Sequence, residues 1–362
     1  MTGLAERLAE RTLELVDIPS ESRHEAEIRE RLLALVPGQL AADYAHDDAF
    51  LFLPERHPGV PLVVLAGHYD TVPAQGNLPG RIAGDAVHGL GASDMKSGVA
   101  VAIELVRDLA FGAPLPCDLG LLLFGREELP PEHNPLSELF ERSSALREAA
   151  LVILLEPTNG EVHAGCLGHL TARVAFRGVS GHSGRPWDAE NAIERAVDGL
   201  RPFLGRKPRD AVVGGLTFRE VITVTRLQAG IADNVIPDLA VATLSFRYAP
   251  DRTPSEAEAH LVSLLGGDAE VELTGNSPPG AVVTDSPLVR ALVAAGARGI
   301  EPKQAWTNVA DFTTRGIDAV NFGPGSTAQA HRRDELVEIP ALVHAYETLW
   351  RFLAAPMGED AG

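Results

Sequence analysis

Short, unbroken apolar runs recur along the first part of the chain, at residues 62–66, 118–124 (DLGLLLF) and 151–155. Such runs lack the polar alternate positions of a half-exposed strand, so they predict strands buried on both faces of a sheet. Residues 51–53 and 319–322 read the same way. Between and around them lie segments with apolar residues at helical spacing: 4–16, 25–35, 99–109, 136–150, 287–296 and 340–354. Strands alternating with helices predict an α/β domain with a mixed, mostly parallel sheet flanked by helices. From about His169 the period changes to two. Residues 169–178 (HLTARVAFRG), 218–227 and 239–248 (LAVATLSFRY) alternate, and 269–273 reads as a last short strand. Helices are expected at 189–204 and at 255–265, with Thr253 and Ser255 as candidate caps. That order, βαββαβ, predicts a ferredoxin-like domain at 169–277, inserted into an α/β domain made of 1–168 and 278–362.

The 362 residues are 45% apolar, enough for two cores. Lys and Arg number 31 against 50 Asp and Glu, a formal charge of −19. A surface this acidic repels phosphate backbones and anionic lipid, which argues against nucleic-acid and membrane partners. No run approaches the roughly 18 apolar residues of a membrane span. The first helical segment interleaves Leu4, Leu8, Leu13, Leu15 and Val16 with charge, unlike a signal peptide. Two isolated cysteines, Cys117 and Cys166, form no framework of disulfides, and a reduced, cytoplasmic protein is expected.

The chemistry collects where the apolar runs end. Residues 62–66 lead into Gly67-His68-Tyr69-Asp70, whose alternation puts His68 and Asp70 on one face. Glu127-Glu128 follow 118–124, and Glu156 follows 151–155. Asp94 sits just before the 99–109 helix, and His331 follows 319–322. Each has an ordinary reading alone: a helix-terminal charge, a cap, a solvated loop carboxylate, a surface histidine. Gathered at one sheet edge, so many carboxylates require cations. Imidazole and carboxylate without thiolate suit Zn²⁺, with Co²⁺ or Mn²⁺ as substitutes. A shared carboxylate fits a pair of ions about 3.5–4 Å apart.

The order GHYDTVP, GLGASDMKSG, GREE, EP, GHSGRPWDAENAI, NVIP and AH resembles the M20 family of dinuclear metallohydrolases over nearly the whole chain. The resemblance implies His68 and Glu156 on one metal ion, Glu128 and His331 on the other, and Asp94 between them. It implies that Asp70 orients His68, that Glu127 is the general base and acid, and that the Asp94–Met95 peptide is cis. The inserted domain becomes a lid and dimerisation domain, whose His182 reaches the partner subunit's site to stabilise an oxyanion. Asn234, Arg247 and Thr307 become substrate-binding residues. The substrate implied is a small N-acyl amino acid.

Within the family, DTVPAQGNLPGR, LLEPTNGEVHAGCLG, LTFREVITVTRLQAGIADNVIP and NFGPGSTAQAHRRDE are most similar to members that hydrolyse N-succinyl-LL-2,6-diaminopimelate to succinate and LL-2,6-diaminopimelate. N-acetylornithine deacetylases and other M20 aminoacylases and peptidases are the alternative. Three departures stand out: Cys166-Leu167 where many relatives carry an arginine, Ser97 for a glycine, and Leu129-Pro130-Pro131 after the glutamate pair. A scaffold that only bound metal would have no use for Glu127.

Overall fold

The computed structural model describes residues 2–110, 112, 115–267 and 269–355. They fall into two compact units, residues 1–164, 283–301 and 311–362 forming the first and 165–282 with 302–310 the second.

The first unit is built on an eight-stranded sheet. Its order is Ala41–His46, Ala49–Leu53, Asp118–Phe124, Leu62–His68, Ala149–Leu154, Ala319–Asn321, Val162–Cys166 and Ile300–Lys303. Leu62–His68 pairs in parallel with Asp118–Phe124 and Ala149–Leu154, which in turn pairs in parallel with Ala319–Asn321. Every residue of Leu62–His68 and Asp118–Phe124 is buried, as their unbroken apolar runs predict. The Lys96–Leu109 helix packs on Leu62–His68 and against the helices Thr2–Asp17 and Ile339–Ala354. In Thr2–Asp17 the buried face is Leu8, Ala9, Thr12, Leu15 and Val16, a helical stripe. Thr12 survives there because its hydroxyl donates to the Leu8 carbonyl at 2.8 Å.

Close approach fixes where that central helix begins. A Cβ on Gly98 would lie 2.2 Å from the Leu155 carbonyl oxygen, and one on Gly67 would lie 2.9 Å from Val99. Backbone cannot step aside as a flexible side chain can. Gly98→Ala is therefore expected to cost about 1–3 kcal/mol, read as a lower midpoint in urea unfolding.

Several elements differ from expectation. Strands Ala41–His46, Val162–Cys166 and Ile300–Lys303 carry no long apolar run; only Tyr44 of Ala41–His46 is buried. A three-stranded sheet of Arg81–Ala83, Ala86–His88 and Leu336–Glu338 is equally silent in the sequence pattern. The single helix expected at 136–150 is two, Leu136–Arg142 and Ser144–Arg147. Ser143 breaks it, taking an extended conformation and accepting the Leu146 N–H on its hydroxyl.

The second unit carries a five-stranded antiparallel sheet in the order Arg209–Val213, Leu216–Ala229, Leu239–Tyr248, Gly168–Arg177, Ala269–Ser277. Alternation sends Leu170, Ala172, Val174 and Phe176, with Ala240, Ala242, Leu244 and Phe246, into one core. Helices Ala192–Leu200 and Pro254–Leu265 cover them through Ala196, Leu200, Ala257 and Leu261. Thr253 forms a full capping box with Glu256. The first of these helices is shorter than expected, starting only after Asn191, whose side chain accepts the Ile193 N–H. Arg209–Val213 is an additional edge strand. Its Arg209 pairs with the buried Glu220, which Arg252 also contacts.

Candidate metal centre

His68 ends its strand at 1% exposure. Its Nδ1 lies 3.2 Å from the Asp70 carbonyl oxygen and 3.4 Å from Asp70 Oδ1. The other nitrogen, Nε2, is buried, makes no hydrogen bond, and faces Asp94 Oδ1 at 3.4 Å and Glu156 Oε1 at 3.9 Å. A buried imidazole nitrogen aimed at two carboxylates, too far for hydrogen bonds, leaves the space a cation would take.

Asp70 organises the neighbouring strand end. Its carboxylate accepts the Ser22 hydroxyl at 2.6 Å and the backbone N–H groups of Glu127 at 2.9 Å and Glu128 at 3.2 Å. Burial alone would raise the Asp70 carboxyl. The hydrogen bond and charge of His68, with the Ser22 and Glu127 donors, hold it below the usual range. Arg126 has φ +59°, so the chain leaves strand geometry just before the glutamate pair, and adjacent side chains need not oppose.

Asp94 lies between the two imidazoles. Its Oδ1 faces His68, while its Oδ2 is 3.5 Å from His331 Nε2. The Asp94–Met95 peptide is cis, as the resemblance implies. His331 Nε2 is also 3.0 Å from Glu128 Oε1. That hydrogen bond, with the charges of Glu128, Asp94 and Glu335, lifts the imidazole to about 9 against its partial burial. His68 is raised as well: burial disfavours its cation, but the nearby Asp70 and Asp94 carboxylates and the Glu127 charge outweigh it. Glu127 is pushed well up by burial, and by Glu156, Glu128 and Asp94, against the opposing charge of His68. The rise at Glu127 comes from burying it among like charges, a cost that a bound cation would offset. Ligand atoms of His68, Asp94 and Glu128 lie within 4.8 Å of one another. Two imidazoles and several carboxylates, without a thiolate, fit a divalent metal of the zinc type.

The remaining predicted residues belong to the second unit. His182 is exposed in a two-stranded ribbon, Gly181–His182 with Val235–Ile236, and accepts the Gly184 N–H on Nδ1 at 2.9 Å. The ribbon brings it beside Asn234, whose carbonyl accepts the Ser183 N–H at 3.0 Å. Arg247 sits opposite His169 in the sheet register. Burial lowers it from the usual guanidinium range, and among the described residues its side chain makes no hydrogen bond or ion pair. Thr307 is buried, with no hydrogen-bond partner for its hydroxyl. Sequence reasoning passed over Ser22 and Glu335. The only signal for Glu335 was its place in the HRRDE run after His331.

A mostly parallel sheet that brings imidazole and carboxylate groups together around Asp94 has the donor set of a metal-dependent hydrolase. The model of peptidase family M20/M25/M40 matches residues 64–355, and the chain belongs to that family, as a metallohydrolase acting on amides. A Mycobacterium tuberculosis protein provisionally named succinyl-diaminopimelate desuccinylase DapE is 36% identical over 346 residues, 95% of this chain and 97% of that one. The succinyl-diaminopimelate desuccinylase of Corynebacterium glutamicum is 34% identical over 95% of both chains. Among solved structures, aminopeptidase PepT from Bacillus cereus superposes with a TM-score of 0.77 at 19% identity, over 97% of this chain and 98% of that one, which shows the shared fold. No helix among the described residues is long and apolar enough to cross a membrane.

Proposed function

We propose that the protein hydrolyses N-succinyl-LL-2,6-diaminopimelate to succinate and LL-2,6-diaminopimelate, using two Zn²⁺ ions, with Co²⁺ or Mn²⁺ as substitutes. The observation that carries the substrate is identity of 34–36% over nearly the full length to proteins of that name. In this reading His68 and Glu156 hold one ion, Glu128 and His331 the other, and Asp94 both. Ions in such a site acidify bound water and polarise the amide carbonyl. Asp70 fixes the tautomer and direction of His68. Glu127 takes a proton from the attacking water and passes it to the amine nitrogen as the C–N bond breaks.

The second unit, as lid and dimerisation domain, supplies binding. Arg247, lacking a partner of its own, takes a substrate carboxylate, with Asn234 and the Thr307 hydroxyl alongside. His182 steadies the oxyanion from across a homodimer. Apolar side chains at the surface of this unit, Trp187 at 76% and Ile231 at 87% exposure among them, support such a dimer. Buried thiols at Cys117 and Cys166, neither in a disulfide, support a reduced cytoplasmic setting.

Cys166-Leu167, in the place of an arginine, favours a second reading, N-acetylornithine deacetylase, because a succinyl carboxylate wants a cationic seat. Amine release from N-succinyl-LL-diaminopimelate and N-acetylornithine, measured side by side with added Zn²⁺ or Co²⁺, separates the two. Preference for the succinyl substrate is expected. Preference for the acetyl substrate overturns the desuccinylase reading, and turnover of neither sends the search to other N-acyl amino acids and peptides.

A further inference from the structure

Glu335 lies four residues beyond His331 and is 2% exposed. Its Oε1 accepts the backbone N–H groups of Ser93 at 2.8 Å and Asp94 at 3.0 Å, and its Oε2 accepts that of Gly91 at 3.1 Å. Its own carbonyl accepts the Gly89 N–H at 3.1 Å. The same two segments are tied a second time. The Ser93 hydroxyl donates to the Ser326 carbonyl at 3.0 Å and accepts the Ser326 N–H at 3.1 Å. Gln75 adds a bond from its side-chain nitrogen to the His331 carbonyl at 3.1 Å. A buried carboxyl group that gathers three backbone N–H donors ties down the segment that carries them. The segment is tight as well: Gly91 has φ +79°, and a Cβ there would meet Lys96 and Thr71 at 3.0 Å.

We infer that Glu335 is a positioning residue, which sets the backbone of Asp94 against the His331 segment and so forms the metal centre before any ion arrives. The inference rests on the proposed reading of Asp94 and His331 as ligands. Glu335 touches neither substrate nor metal in it. Its work is to hold the shared aspartate with both oxygens aimed outward, toward the two imidazoles. Without it, metal binding would have to order the 89–94 segment itself, and affinity would fall by that cost.

The test uses the full-length protein stripped by a chelator and titrated with Co²⁺, following the visible d–d bands and the bound metal. Glu335→Gln keeps the shape but sets an amide against three N–H donors. It is expected to bind Co²⁺ about 10–100-fold more weakly, with altered bands, while the circular dichroism of the metal-free protein is unchanged. Wild-type affinity and bands in a folded Glu335→Gln protein overturn the inference. Should that variant not fold, hydrogen exchange of the metal-free wild type decides. Slow exchange at the Gly91, Ser93 and Asp94 amides supports a preformed segment, and fast exchange that slows only on adding Co²⁺ overturns it. If the wild type takes up no Co²⁺ at all, the ligand reading itself has failed, an outcome distinct from the others.

Discussion

Replacing Glu127 by alanine is expected to lower kcat by about 10²–10⁴-fold while leaving the metal content of the protein unchanged. The two halves of that expectation have separate origins. The backbone N–H of Glu127 donates to Asp70. That bond survives truncation of the side chain. The neighbouring Glu128, by contrast, meets His331 at 3.0 Å through its carboxylate. Truncating Glu127 therefore removes a proton carrier and leaves Glu128 and Asp70 in place. Steady-state kinetics on the preferred substrate, with metal quantified on the same sample, checks both halves. A fall in metal content parallel to kcat would make Glu127 a ligand, and an unchanged kcat would move the proton transfer elsewhere.

Asp94→Asn is expected to do the opposite, weakening metal binding by more than the roughly 100-fold limit seen for outer-shell changes, with activity lost as a consequence. Each oxygen of Asp94 faces a different imidazole, at 3.4 and 3.5 Å. An amide offers only one ligating oxygen and turns N–H donors toward the other side. It also removes a negative charge from a cluster whose crowding is relieved only by cations. Dialysis against graded Zn²⁺, followed by metal quantification, is the measurement. Retention of two tightly bound ions would show that Asp94 is not shared.

That these side chains come together was legible because most of them follow strand ends, and those strands are written as unbroken apolar runs. Leu62–His68 delivers His68, and Asp118–Phe124 delivers the glutamate pair. Strands such as Ala41–His46 were not legible, since one buried tyrosine among exposed residues makes no pattern. They form because an open sheet edge offers backbone partners, which side chains do not announce. Glu335 escaped for the same reason: its donors are main-chain N–H groups more than 240 residues away in sequence. Arg126 shows the converse. Nothing in Gly-Arg-Glu-Glu signals a left-handed residue, yet that turn takes two successive glutamates out of strand geometry.

The two imidazoles beside Asp94 differ sharply in how much solvent they meet: the His68 side chain is 1% exposed and that of His331 is 52%. Under the proposed ligand assignment the pocket has an inner berth and an outer one. An ion held through His331 would meet the surrounding medium more directly than one held through His68, and would be the first to leave under a chelator.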